Sequence, residues 1–332
     1  MFDPTENNEP QYTFDDVLIV PKFSDIKSRR DLDFRFFGER NPLDLYLPFI
    51  SANMDTITGV SMAEEMANLG GCGIMHRGNR AGHLEVIVDA WIKAREDKIF
   101  CSTGVIRNTL ERDRIDMLVS KPSNRVVICV DIAHGHSSNM LETLKYIRAR
   151  FSGILIAGNV CTRDGVKFLS DAGVDVVKVG VGGGSVCTTR IETGCGVPQL
   201  SAIRDCSIGI VPIIADGGIR TPGDACKALA AGASYVMIGG MLAGTSHAES
   251  KNFYRGMASK EAQGGSARYV EGVSVAVKDR GETRDVISRL TSGLASCMSY
   301  TGSNNLDELY RGVNFIRVTQ SSVKESSPHF GG

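Results

Sequence analysis

Short apolar runs recur along this chain, separated by helix-like stretches. The runs cover residues 47–51, 72–76, 99–105, 126–132, 154–160, 176–181, 212–216 and 235–238. Each is rich in β-branched residues and apolar on both faces, the signature of a parallel strand covered on both sides. Residues 61–69, 84–95, 138–150, 163–172 and 222–231 read as helices. The last carries its own boundaries: Thr221 as N-cap, Pro222 in the first turn and Gly232 just past the end. Eight strands with helices between them predict an α/β protein, a (β/α)8 TIM barrel in one domain. A doubly wound open sheet is the competing arrangement.

Two segments break the repeat. Residues 244–281 are too long for a simple connection after the eighth strand and read as a mobile flap. Residues 320–332 are rich in Ser and Gly and read as a flexible tail. No inserted regulatory domain or low-complexity block interrupts the barrel pattern.

Composition narrows the function. The chain has 332 residues and is 42% hydrophobic, enough for one large core. Its net charge of −1 offers no basic footprint for nucleic acid. No apolar run approaches the ~18 residues of a membrane helix. The polar, acidic start is unlike a signal peptide. Nine scattered cysteines form no C-x-x-C pair and no zinc spacing, which fits a reducing, cytoplasmic setting.

The polar and Gly-rich residues fall after the strands, at the face where a barrel builds its site. The densest case is Val179-Gly180-Val181-Gly182-Gly183-Gly184-Ser185-Val186-Cys187-Thr188-Thr189-Arg190. Glycines let backbone amides and carbonyls converge on a phosphate or cation. Cys187 is then either a small core residue or a nucleophile, and the flanking hydroxyls favour the nucleophile. Thr189 and Glu271 are candidates for moving a proton, with Glu271 alternatively a solvated loop charge. Asp216-Gly217-Gly218 and Gly239-Gly240 follow the seventh and eighth strands, the usual phosphate site of a barrel, and should converge with Ser185. Tight turns alone are the plainer reading of those glycines. Asp216 suits ribose hydroxyls, or else a helix cap or core salt bridge. Carbonyls of Gly182, Gly184 and Cys187, grouped with Arg190, are candidates for a monovalent cation such as K+. His134 and His136 suit a pocket lining better than a metal site, having no nearby carboxylates. The glycine triplet lacks the G-x-G-x-x-G spacing of a dinucleotide fingerprint.

With these residues in view, the chain resembles the inosine monophosphate dehydrogenase and guanosine monophosphate reductase family over nearly its whole length. The matching motifs are Tyr12-Thr13-Phe14-Asp15-Asp16-Val17-Leu18-Ile19, Ser51-Ala52-Asn53-Met54-Asp55-Thr56, Gly158-Asn159-Val160, Ser185-Val186-Cys187-Thr188-Thr189-Arg190, Asp216-Gly217-Gly218 and Tyr254-Arg255-Gly256-Met257. The resemblance implies a barrel, a homotetramer, a purine nucleotide substrate (GMP or IMP) and a covalent thioimidate between Cys187 and purine C2. It implies nucleotide contacts from Gly256, Met257, Ala258, Arg268 and Gly272. It implies nicotinamide contacts from Arg77, Asp131, Ile132, Ala133 and Gly180. The far end of the cofactor would lie on Ser28, Arg29, Tyr300, Thr301, Gly302 and Ser303, across a subunit boundary.

Arg268-Tyr269 stands almost directly before Glu271-Gly272, a spacing that resembles the reductase. In the dehydrogenase the Arg-Tyr pair lies well before its Glu-Gly or Gln-Gly. The reductase reading implies NADPH-dependent conversion of GMP to IMP and ammonia. The alternative is an NAD-dependent IMP dehydrogenase without the regulatory insert, or a catalytically idle nucleotide sensor. His76-Arg77 and Ala133-His134-Gly135-His136-Ser137 resemble the dehydrogenase, as do Arg255 and the ending Ser326-Ser327-Pro328-His329. Gly183 replaces a proline common to both branches, and Ala258 replaces a serine of the reductase.

Overall fold

The computed structural model describes residues 10–78, 81–209, 211–262 and 270–326. A short strand, β1 (Val17–Ile19), precedes the barrel. The barrel strands are β2 (Phe49–Ser51), β3 (Cys72–Met75), β4 (Ile99–Thr103), β5 (Val126–Asp131), β6 (Leu155–Val160), β7 (Val176–Val179), β8 (Ile213–Asp216) and β9 (Tyr235–Ile238). They are parallel and close into a ring in chain order, with β9 pairing β2. Each corresponds to one of the eight apolar runs, so the closed barrel excludes the open sheet.

Helices α1 (Val60–Asn68), α2 (Ala81–Ala94), α3 (Thr109–Val119), α4 (Ser138–Arg148), α5 (Arg163–Asp171), α6 (Thr189–Thr193), α7 (Gln199–Cys206) and α8 (Pro222–Ala230) connect the strands. Helix α8 starts as its sequence predicts. Thr221 Oγ1 accepts from the Asp224 N–H, and Asp224 closes a capping box. Three structural features lie beyond the sequence reading. The segment after β9 contains an antiparallel pair, β10 (Phe253–Arg255) and β11 (Ser274–Ala276). Helix α9 (Thr283–Thr301) follows, rich in Ser and Thr yet burying Ile287, Leu290, Leu294 and Met298 on one face. After α10 (Leu306–Gly312), strand β12 (Phe315–Arg317) pairs antiparallel with β1. The expected flexible tail is instead helical at its start, α11 (Gln320–Glu325), and the rest of it, residues 327–332, lies outside the described residues.

Alternation along the strands divides the core in two. Inward residues such as Ile50, Ile74, Val127, Ile156, Val176, Ile214 and Met237 fill the barrel. Outward residues such as Phe49, Ile128, Leu155, Val177, Ile213 and Val236 pack under the helices. This pleat decides what faces the mouth. Two residues beyond Cys129, Val176 and Ile214 on the inward series stand Asp131, Lys178 and Asp216. Among the described residues no helix is long and apolar enough to cross a membrane.

A candidate active site at the carboxyl mouth of the barrel

The loop after β7 carries Cys187. Its Sγ lies 3.0 Å from Thr189 Oγ1, which donates to Glu271 Oε2 at 2.8 Å. Two segments 82 positions apart are therefore joined in one hydrogen-bonded chain. Its geometry comes from backbone pairing. Thr188 N–H donates to the Glu271 carbonyl at 2.9 Å, and Val273 N–H donates to the Val186 carbonyl at 3.0 Å. Glu271 N–H in turn donates to the Ala258 carbonyl at 3.0 Å. The segment around Glu271 is thus bound edge-on to the Cys187 loop, and the Glu271 carboxylate is held by Thr189 rather than free in solvent. Gly256 and Gly272 pack on one another and on the Val186 carbonyl, where a Cβ would meet backbone at 3.0–3.3 Å. Met257 reaches across the mouth, its sulfur accepting from Asp55 N–H at 3.5 Å. Arg268 lies outside the described residues.

The glycine turns converge as expected. Gly217 adopts φ +107°, and a Cβ there would meet the backbone of Gly183 and Gly184 at 3.0–3.2 Å. Only glycine allows both that torsion and that approach. Ser185 Oγ lies 2.8 Å from where a Cβ of Gly240 would stand, and the Tyr254 hydroxyl stands 3.0 Å from the equivalent point on Gly239. The loops after β7 and β8 therefore meet at Gly217, and Ser185 of the β7 loop stands beside Gly240 of the β9 loop. Gly218 turns instead towards the Phe14 ring. Tyr254, absent from the candidate residues, is buried and hydrogen-bonded to Ser185; burial pushes its hydroxyl up to about 12, with Ser185 opposing.

Beneath these loops lies a charged network that strand periodicity alone places. Lys178 is 2% exposed, inside an apolar strand. Its Nζ contacts Asp131 Oδ1 at 2.5 Å, Asp216 Oδ2 at 3.1 Å and Asn53 Oδ1 at 3.1 Å. Asn53 Nδ2 donates to the other oxygen of Asp131 at 2.9 Å, and Asn159 Nδ2 donates to Asp216 Oδ2 at 2.9 Å. Gly158 makes the room, since a Cβ there would sit 2.6 Å from Lys178 Cβ. Burial drives the Asp131 carboxyl up, but Lys178 overrides it and the net shift is downward. Burial likewise drives Lys178 down, and the two carboxylates reverse it to a net rise. Asp216 is thus a core salt-bridge member with one oxygen left for another partner. The signal for Lys178 in the sequence was a lone cation in Val176-Val177-Lys178-Val179.

Arg77, Ile132 and Ala133 surround this network at the mouth. Arg77 donates to the Asp131 carbonyl at 3.3 Å, and Ala133 and His134 are exposed beside it. His76 is buried, which lowers its pKa, and its Nδ1 accepts from the Gly78 N–H at 2.9 Å. Gly180 is buried, its carbonyl taken by Asn159, and faces no open space. His136 packs on Phe168 rather than with metal ligands. The Arg190 guanidinium straps its loop, donating to the carbonyls of Val181 and Val197. The Gly184 and Arg190 carbonyls accept from the Cys187 and Gly194 amides.

A second group of candidates lies at the other end of the barrel. Gly293 of α9 lies against Pro222 at the start of α8, so α9 descends beside α8 and ends at the amino mouth. There Tyr300 lies under the Arg29 guanidinium at 5.7 Å, and Thr301 Oγ1 meets Ser303 Oγ at 3.0 Å. Ser28 accepts from the Arg30 N–H, and Gly302 lies against the Phe23 carbonyl. These six residues gather together, but not with Cys187 of the same chain.

Residues 11–329 match the family described as the IMP dehydrogenase / GMP reductase domain. The chain belongs to this family. It is 37% identical to an inosine-5'-monophosphate dehydrogenase of Cryptosporidium parvum, over 98% of this chain and 96% of that protein. It is 39% identical to GMP reductase 1 of Homo sapiens, over 92% of this chain and 95% of the relative. A GMP reductase of Vibrio atlanticus is 38% identical, over 92% and 94%. Members of the family are oxidoreductases that act on purine nucleotides with a nicotinamide cofactor. The similarity is equally strong towards both activities.

Proposed function

We propose that this chain is a GMP reductase, converting GMP and NADPH to IMP, ammonia and NADP+. The supporting observation is the hydrogen-bonded chain Cys187–Thr189–Glu271, taken with the reductase-like spacing that sets Arg268-Tyr269 almost directly before Glu271-Gly272. The reductase must discharge its intermediate without water, and a compact segment pinned to the cysteine loop suits that need.

In this reading the Cys187 thiolate adds to purine C2. Glu271, through Thr189, supplies the proton with which the 2-amino group leaves as ammonia. Bound NADPH supplies the hydride that takes its place at C2. The Cys187–C2 bond then breaks, releasing IMP and the thiol. Ser185, Gly217, Gly239 and Gly240 hold the phosphate, and the free oxygen of Asp216 takes the ribose. The exposed ledge at Ala133, beside Arg77 and Asp131, fits the nicotinamide end. Ser28, Arg29, Tyr300, Thr301, Gly302 and Ser303 fit the far end on a neighbouring copy, because they lie at the opposite mouth from Cys187; this favours a homotetramer. Carbonyls of Gly182, Gly184 and Cys187 are the candidates for K+. We place the whole activity in one catalytic domain in the cytoplasm.

The dehydrogenase reading has support of its own in His76-Arg77 and in exposed His134, which border the same ledge. Paired assays at ~340 nm separate the two, since NADPH absorbs there and NADP+ does not. The expected result is loss of absorbance with GMP and NADPH, with IMP and ammonia as products. Faster gain of absorbance with IMP and NAD, with xanthosine monophosphate on chromatography, overturns the proposal. No turnover in either direction favours a nucleotide sensor.

A further inference from the structure

A second reactive centre lies in the seam between α8 and α9, away from the Cys187 loop. Most of the other cysteines are chemically quiet: burial pushes Cys101 and Cys129 up to about 12. Cys226 and Cys297 differ because both line one pocket of about 260 Å³ in the seam, together with Pro21, Gly293 and Tyr300. Cys226 is buried at its floor, 3% exposed, whereas Cys297 is half-buried and Tyr300 opens to solvent at the rim.

The helices are in near-contact there. A Cβ on Gly293 would stand 2.3 Å from Pro222 Cβ, so only glycine admits this approach. Cys297 and Cys226 lie four residues further along the same two rows, one turn down from the closest point. A disulfide between them requires the two Cβ atoms to come within about 3.5–4.5 Å.

We propose that Cys226 and Cys297 form a reactive dithiol that takes small-molecule disulfides of the glutathione disulfide class and closes into a bond linking α8 to α9. The Cys297 thiolate attacks one sulfur of the oxidant, forming a mixed disulfide and releasing one glutathione thiolate. Cys226, deprotonated as that thiolate takes up its proton, attacks the Cys297 sulfur and releases the second glutathione. The pair loses two electrons and two protons, and one glutathione disulfide becomes two thiols. The roles follow from position: the open cysteine attacks and the floor cysteine resolves. The influence of each thiol on the other runs the same way, lowering Cys297 against the effect of burial and raising Cys226.

The test uses the full chain, incubated with glutathione disulfide, alkylated and cut with trypsin. The expected product joins residues 221–227 to residues 290–311 with loss of two hydrogens, and a thiol reductant reverses it. In Cys226→Ala, Cys297 should stop at a stable glutathione adduct. In Cys297→Ser, Cys226 should stay unmodified. Two results overturn the proposal: a lasting glutathione adduct on wild-type Cys297 with Cys226 still free, or no reaction at either while exposed Cys195 reacts.

Discussion

The two halves of the barrel interior are built from the same eight strands and behave oppositely. Towards the amino mouth the inward positions are Ile50, Ile74, Val127, Ile156 and Ile214, with no charge to satisfy. One pleat further on, β5, β7 and β8 turn Asp131, Lys178 and Asp216 inward, and all depend on one another. The apolar half is non-directional and tolerates small changes of shape. The polar half holds charges out of water, where each remains stable only while its partner is present. The same strands therefore carry a foundation at one end and a pre-set electrostatic floor at the other, directly under Cys187.

Removing the nucleophile should produce the largest effect at the polar end. Cys187→Ala is expected to abolish turnover while nucleotide binding, followed by calorimetry, persists, because the proposed phosphate and ribose contacts lie on Ser185, Asp216 and the glycine turns. Undiminished turnover breaks the covalent reading. Glu271→Gln comes next. Loss of the relay should slow ammonia release by about 10²–10⁴-fold, with GMP binding little changed; an effect confined to KM makes Glu271 a binding residue only.

Lys178→Met tests the floor itself. It leaves Asp131 and Asp216 facing one another without a cation, and should cost roughly 3–5 kcal/mol in denaturant unfolding. The pH dependence has a definite sign. The Asp131 pKa is lowered in the folded state, so its contribution is present above the unfolded value of about 3.9 and is lost as pH falls through the lower folded value. Lys178 is raised, so its contribution is full below about 10.4 and fades only at higher pH. Wild type should therefore lose stability more steeply below pH ~4 than Asp131→Asn, measured by melting temperature against pH. Parallel curves would show that the network contributes nothing to acid sensitivity. The smallest effect belongs to the apolar half: Ile156→Val should cost about 0.5–1.5 kcal/mol and leave turnover unchanged. A larger loss of activity than of stability there would erase the distinction between the halves.

Much of this was legible along the chain. Apolar runs every few tens of residues specify buried parallel strands, and Thr221, Pro222 and Gly232 mark helix α8 by local chemistry alone. Helix α9 escaped notice because its Ser and Thr residues obscure a stripe formed by Ile287, Leu290, Leu294 and Met298. The flap read as irregular because β10 and β11 are three residues each, too short for alternation to register. Cys187, Ser185 and the glycine turns stood out because a site needs unusual residues at strand ends.

Local pattern determined the eight strands, the barrel and the loop on which Cys187 sits, because strand burial and turn geometry depend on neighbours in sequence. Tertiary structure alone decided what meets what. It brought Glu271 to Thr189 across 82 positions, set Lys178 between two carboxylates from β5 and β8, gathered Cys226 and Cys297 on one pocket, and put Tyr300 at the mouth opposite Cys187. Those pairings depend on barrel closure and on the pleat's choice of inward residues, which no short window of sequence contains.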